Sequence, residues 1–156
     1  MHNPLSKKRR RKVFLFSLLA TIAAAAVLYR IHMNPPANPE VRKKLWLIDR
    51  KLDERGLRRW YFVSSGRRSA WYNNLLGTVK NSHHLKGKAI DIFVLDVDGD
   101  WVFDSRDISI LEDVNREVER EHPELVGAFG TYRKEGGLYA NMVHIDTRGR
   151  RVRYDQ

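Results

Sequence analysis

The chain has 156 residues, with 29 Lys plus Arg against 19 Asp plus Glu and no cysteine. The length fits one domain. The absence of cysteine excludes disulfides, iron–sulfur ligation and a thiol nucleophile, so any metal must be held by His and carboxylate. The formal charge of +10 invites a nucleic-acid reading, but residues 1–39 carry seven bases (Lys7, Lys8, Arg9, Arg10, Arg11, Lys12, Arg30) and no acid, which leaves 22 basic and 19 acidic side chains in residues 40–156. A domain so nearly balanced lacks the electrostatic footprint of phosphate binding, and no nucleic-acid partner is expected.

Residues 1–12 form a basic cytoplasmic segment, and residues 13–29 (VFLFSLLATIAAAAVLY) follow without a charge. As a helix this run reaches about 25 Å, the short end of what spans a bilayer. Positive charge before an apolar helix stays in the cytoplasm, so the remainder is expected outside the cytoplasmic membrane, periplasmic or extracellular. Ala24 and Ala26 have signal-peptidase spacing, yet Val27, Leu28 and Tyr29 continue the apolar run, which favours an uncleaved signal anchor over a cleaved signal peptide that would release a secreted protein. Residues 30–38 (RIHMNPPAN) read as a short stiff linker, and residues 39–156 as the folded domain.

Within that domain Asn38 can cap a helix with Pro39 in its first turn, and Val41, Leu45, Ile48 and Leu52 recur at helical spacing until Gly56. Trp60 to Ser64 reads as a strand and Ser69 to Leu76 as a short helix stopped by Gly77. Ala89 to Leu95 is a strand expected to turn through Asp98-Gly99 into a second strand, Trp101 to Phe103, as a hairpin. Asp104 or Ser105 caps a helix carrying Ile108, Leu111, Val114 and Val118 on one face and closed by Pro123. Met142 to Thr147 and Arg151 to Tyr154 supply two last strands around Arg148-Gly149. The order predicts an α+β fold, a small mostly antiparallel sheet with flanking helices.

His84, Asp91 and His144 are the metal-ligand candidates. Strand alternation puts Ala89, Asp91 and Phe93 on one face and Ile90, Ile92 and Val94 on the other, so Asp91 is an acid among apolar neighbours. A buried carboxylate needs a partner, and Asp91 either ligates a metal or caps a turn. His144 alternates with Val143 and Ile145 and shares its face with Asp146. Two imidazoles and one carboxylate leave a fourth position open, the catalytic arrangement of zinc. Asp96, Asp98 and Asp100 suggest a calcium loop, but Trp101 stands where an EF-hand needs glycine, and a solvated turn is the reading. Arg148, Arg150, Arg151 and Arg153 read as the exposed side of a terminal hairpin.

Ser82, His84, Gly87, Ala89 and Asp91 match S-x-H-x-x-G-x-A-x-D, and the chain resembles the zinc D-Ala-D-Ala metallopeptidase family that carries this signature. Met142-Val143-His144-Ile145-Asp146 is similar to the segment supplying that family's third ligand, and Ser65-Gly66-Arg67-Arg68-Ser69, followed by Tyr72-Asn73, to its S-G-x-R-S block. The ending MVHIDTRGRRVRY, with Gly130 and Tyr132 before it, looks most like the branch of small exported murein endopeptidases. The resemblance implies Zn²⁺ on His84, Asp91 and His144, a metal-activated water, and peptidoglycan peptides as substrate, cleaved as an endopeptidase or a carboxypeptidase. It further implies Arg68 at the developing negative charge and Arg68, Tyr72, Asn73 and Ser82 along the substrate.

One departure matters. Well-studied branches carry an acid three positions before the last His as general base, whereas here Asn141 occupies that place, and an amide cannot take a proton from water. Glu135, Asp146 and His83 are the substitutes, with Asp146 also suited to orienting a ligand imidazole. Asn141 keeps alive a second function, a non-hydrolytic zinc-containing cell-wall or protein-binding domain on the same fold.

Overall fold

The computed structural model describes residues 7–28, 37–133 and 137–155. Helix α1 (Lys7–Leu28) begins inside the basic segment. Its Arg11–Leu28 portion is long and apolar enough to cross a membrane or to act as a signal sequence. Most of the expected linker, residues 30–36, lies outside the described residues, as does Glu135.

The domain opens with α2 (Pro39–Glu54). Asn38 stands at its cap position, but its amide makes no cap bond; Nδ2 donates instead to the Lys86 carbonyl at 3.0 Å, while the Asn38 N–H donates to Gly87 O at 2.8 Å. The chain then forms β1 (Tyr61–Ser65), the short α3 (Ala70–Leu75), β2 (Ala89–Val94), α4 (Ser105–Glu121), β3 (Ala128–Thr131), β4 (Met142–Asp146) and β5 (Val152–Asp155). The Ser69 hydroxyl caps α3, and Asp104 caps α4 in a reciprocal pair with Asp107. The α+β class expected from the sequence is the one observed.

The five strands form one sheet in the order β1-β2-β4-β3-β5, antiparallel except for the parallel pair β3–β5. Helices α2 and α4 pack together, and the core unites Val41, Ile48 and Leu52 of α2 with Ile108, Leu111, Val114 and Val118 of α4. The alternate strand residues Ile90, Ile92, Val94, Val143 and Ile145 belong to the same core. The opposite register on β2 and β4, Asp91 and His144 among it, therefore shares the other face of the sheet.

Three expectations are corrected. Trp101 to Phe103 is not a strand and no hairpin follows β2. The loop's N–H groups are taken by side chains instead: Asp96 accepts from Gly99 (2.7 Å) and Trp101 (3.3 Å), and Asp107 from Val97 (2.7 Å) and Asp98 (3.3 Å). A backbone curled onto carboxylates has no ladder to offer. Nor do the last two strands form a hairpin. The strand Ala128–Thr131, absent from the sequence reading, occupies the free edge of β4, so β5 is displaced to the outside of β3. The C-terminal arginines are consequently not a bare edge: Arg148 pairs with Asp146, Arg151 with Glu119 and Arg153 with Glu112.

Lys44 is fully buried on the core side of α2. Its Nζ donates to Glu119 Oε1 of α4 at 2.8 Å and to the carbonyl of Asp146 at 2.9 Å, tying both helices to the end of β4.

Candidate metal centre

Register brings the site together. Asp91 of β2 stands opposite His144 of β4 on one side and Ser65 of β1 on the other. His84 arrives from the preceding loop, whose turn is fixed by the Ser82 hydroxyl accepting the His84 N–H at 3.3 Å and by Gly87 at φ +68. A Cβ on Gly87 would stand 2.6 Å from Asn38 Oδ1, so the close packing of the linker's end on this loop also requires glycine. The backbone of Arg68 seals the loop, its N–H donating to His84 O at 3.0 Å.

All three side chains are buried, and three of their atoms form a small triangle. His84 Nε2 lies 3.2 Å from Asp91 Oδ1 and 3.2 Å from His144 Nδ1, and His144 Nδ1 lies 3.0 Å from Asp91 Oδ1. Tetrahedral zinc, with bonds of about 2.0–2.1 Å, sets its ligand atoms about 3.3 Å apart, so the spacing fits. The protons fit as well. His84 Nδ1–H donates to Gly66 O at 2.7 Å and His144 Nε2–H to Asp146 Oδ2 at 3.2 Å, which turns His84 Nε2 and His144 Nδ1 toward one another and toward a carboxylate oxygen, where a metal would replace any proton they share with Asp91. Two imidazole nitrogens and a carboxylate oxygen at this spacing need positive charge between them, supplied by a proton or by a metal ion.

The surroundings favour that charge. Burial opposes ionisation of Asp91, yet hydrogen bonds from His144 and His84 outweigh it and hold the carboxyl well below the usual carboxylate range. Burial likewise disfavours the charged form of His144, but bonds to Asp146 and Asp91 win and raise its pKa. Asp146, fully buried, is itself held ionised against burial by His144, by Arg148 (Nε to Oδ2, 2.7 Å) and by the Ala128 N–H (2.7 Å). Asp91 Oδ2 accepts from Arg68 Nη2, and Arg68 Nε donates to Ser65 Oγ at 2.8 Å. Each ligand is thus oriented by a second bond.

A cavity of about 500 Å³ opens onto His84 and His144. Arg68, Ser82, His83, Tyr132, Arg148 and Tyr154 contribute to its wall. Two of the expected substrate residues do not line it. Asn73 is fully buried, and its amide shapes the rim from behind, with Nδ2 donating to Val79 O at 3.2 Å and Oδ1 accepting from Thr78 Oγ1 at 2.7 Å. Tyr72 is half-buried on α3, its N–H capped by Ser69 Oγ at 3.2 Å. Asp146 also stays out of the cavity, behind the His144 ring.

Sequence reading missed Tyr154 and Arg148 as cavity residues. Tyr154 reaches the site because β5 pairs with β3 and because Gly130, opposite both His144 and Tyr154, has no Cβ; one there would stand 2.2 Å from the tyrosine ring. The ring centroids of Tyr154 and His144 are 6.0 Å apart. A glycine within a strand is the one sequence signal of this close approach.

Fold and site together define a group of two histidines and one aspartate that could hold a metal ion, set on the outer face of a helix-backed sheet. The chain matches the Peptidase M15 family over residues 30–146, most of its length, and belongs to that family of metallopeptidases. No curated protein and no solved structure matches it.

Proposed function

We propose that the protein is a zinc-dependent peptidase that hydrolyses peptide bonds of peptidoglycan cross-links or stem peptides, held at the cytoplasmic membrane by α1 with its domain on the outer side. The observation that carries this reading is the triangle of His84 Nε2, Asp91 Oδ1 and His144 Nδ1 beside an open cavity. His84, Asp91 and His144 would hold zinc, which when bound would supply Lewis acidity toward a carbonyl and bring the pKa of water to about 7.

The chain's own groups divide the remaining work. Arg68 spends Nη2 on Asp91 and Nε on Ser65 yet lies in the cavity wall, so its fixed charge faces negative charge developing on a carbonyl oxygen or the carboxylate of a D-amino acid. Burial and the neighbouring Asp91 push the Tyr154 phenol above its ordinary pKa, so it stays a hydrogen-bond donor at neutral pH. Asp146 is committed to His144 and Arg148 and serves as an orienting group. Proton acceptance falls to His83, whose buried Nδ1 has no hydrogen-bond partner among the described residues and whose pKa burial lowers, or to Glu135, which precedes β4 in the sequence.

Purified protein incubated with muropeptides, with and without a chelator, tests the reading. Cleavage that stops with the chelator and returns with zinc is expected. A zinc-loaded protein that leaves every muropeptide intact would instead support the second reading, a wall-binding domain without hydrolysis, which Asn141 favours. His83→Gln and Glu135→Gln at equal zinc content then identify the base, whose loss costs about 10² to 10⁴ in rate.

A further inference from the structure

The domain is electrically polar along α2. The pole where the chain from α1 enters is assembled around Asn38: its N–H donates to Gly87 O at 2.8 Å and its Nδ2 to Lys86 O at 3.0 Å, and a Cβ on Gly87 would stand 3.4 Å from Arg67 Cδ. Thr147 N–H donates to Lys88 O at 3.0 Å, Gly149 N–H to Val126 O at 2.8 Å and Lys43 Nζ to Glu124 at 2.8 Å, so residues 122–127 and the turn after β4 join the same end. Residues 37–43, 67, 86–88, 122–127 and 149–150 hold six Lys or Arg against two Asp or Glu. Lys43 has a carboxylate partner. Arg42, Arg67, Lys86, Lys88 and Arg150 are in no ion pair among the described residues, and all but the half-buried Lys88 are exposed.

At the far end of α2, about 24 Å away, the balance is reversed. Arg58 N–H donates there to Val97 O, and residues 53–59 and 96–107 hold four Lys or Arg against seven Asp or Glu. Each of those bases is neutralised: Arg55 pairs with Glu117, Arg58 with Asp96 (3.0 Å), Arg59 with Asp53 (3.1 Å) and Arg106 with Asp98 (3.1 Å). At physiological ionic strength charge is screened over about 8 Å, a fraction of the distance between the poles. A charged surface therefore meets one pole without feeling the other.

The tether brings one such surface close. With the Arg11–Leu28 portion of α1 in the membrane, the reading on which this inference rests, the ten residues from Leu28 to Asn38 reach at most about 33 Å. That exceeds the length of α2, so the tether lets either pole touch the bilayer and chooses neither. It does hold the domain near the headgroups at an effective concentration of about millimolar order, an advantage that a dissolved polyanion lacks. Charge then chooses. Each Lys or Arg at an anionic lipid surface is worth about a fivefold factor in binding, five of them act together at the basic pole, and the acidic pole is repelled.

We propose that Arg42, Arg67, Lys86, Lys88 and Arg150 dock on anionic headgroups of the bilayer that α1 crosses, and so turn the end of the domain beside the metal loop toward the membrane. Lys86 follows His84 by two residues, and Arg150 follows Arg148 of the cavity wall by two.

The test uses the full chain in nanodiscs, either of zwitterionic lipid or with anionic phosphatidylglycerol added, each carrying spin-labelled lipid as a quencher. The chain has no cysteine, so Glu40→Cys at the basic pole and Ser109→Cys in the first turns of α4, near the acidic one, each take a single fluorophore. Anionic lipid is expected to raise quenching at residue 40 and to lower it at residue 109, and high salt to reverse both. The combined Arg42→Gln, Lys86→Gln, Lys88→Gln and Arg150→Gln variant is expected to lose the response at both probes. Unchanged thermal melting establishes that it folds, and the salt response of the wild type reads the charge without any substitution. Quenching that is the same in both lipids, or a response that survives in the folded variant, overturns the proposal. So does a response to soluble polyphosphate with none to anionic lipid, which would assign the patch to a dissolved polyanion. Failure of the anchor looks different: a chain that stays out of zwitterionic discs but joins anionic ones through these bases upholds the patch and removes the span, and one that joins neither overturns both.

Discussion

His144 donates Nε2–H to Asp146 Oδ2 at 3.2 Å, and this bond decides which nitrogen of the ring faces the metal position. Two residues apart on one strand, the pair shares a face, and Arg148 and the Ala128 N–H hold the carboxylate from behind. Asp146→Asn keeps the shape but removes the charge that favours a cation. Such outer partners are worth about 10- to 100-fold in metal affinity, so the variant should lose zinc to a competing chelator at correspondingly lower chelator concentration, with its melting temperature little changed. Wild-type retention of zinc would show that His144 needs no such partner.

Arg68 touches both the ligand set and the cavity, and two substitutions separate these roles. Arg68→Lys keeps a positive charge beside Asp91 but cannot reproduce a planar fork bonded to Asp91 and Ser65 together. It should retain zinc and lose turnover on muropeptides. Arg68→Ala should lose both, because Asp91 Oδ2 is left buried without a partner. Metal analysis alongside initial rates reads the two effects, and equal turnover in wild type and Arg68→Lys would confine the guanidinium to holding Asp91.

Metal binding should weaken with acid from a higher pH than an ordinary histidine would dictate. His144 has a raised pKa in the metal-free protein, and the ion must displace the proton from its Nδ1. Below that raised pKa the apparent affinity falls about tenfold per pH unit for each proton displaced, and above it affinity is level. Asp146→Asn removes one of the two carboxylates that raise the pKa, so its fall should begin at lower pH. Zinc titrations across pH on both proteins measure the two onsets, and coincident onsets would separate Asp146 from the titration of His144.

Lys44 and Glu119 form a buried ion pair whose partners are not interchangeable with apolar groups one at a time. Lys44→Met would leave Glu119 buried, with Arg151 as its remaining cationic partner, and free the Asp146 carbonyl of its donor. Breaking such a pair costs about 3–5 kcal/mol, enough to lower the denaturation midpoint sharply. Urea titration of the variant tests this; a loss below about 1 kcal/mol would mean that the helices and β4 are held without the lysine.

Most local elements, β3 and the Trp101 segment excepted, and the candidate donor set were legible in the sequence. Alternation around Asp91 and His144, helical spacing in α2 and α4, the Asp104 cap and the spacing of Ser82, His84, Gly87 and Asp91 are short-range patterns, and each is written in neighbouring residues. The family followed from the same residues. Which distant strands meet was not legible there, because pairing depends on contacts far apart in the chain. Nothing local distinguishes a β5 paired with β4 from one paired with β3, yet that choice carries Tyr154 to Gly130 and His144 and turns a supposed basic edge into ion pairs. The Trp101 loop looked like a hairpin because Asp-Gly favours one, until carboxylates from Asp96 and Asp107 took its N–H groups. Asn73 matched a substrate motif and proved to be a buried brace, because burial depends on what packs over a residue and not on its neighbours in the chain.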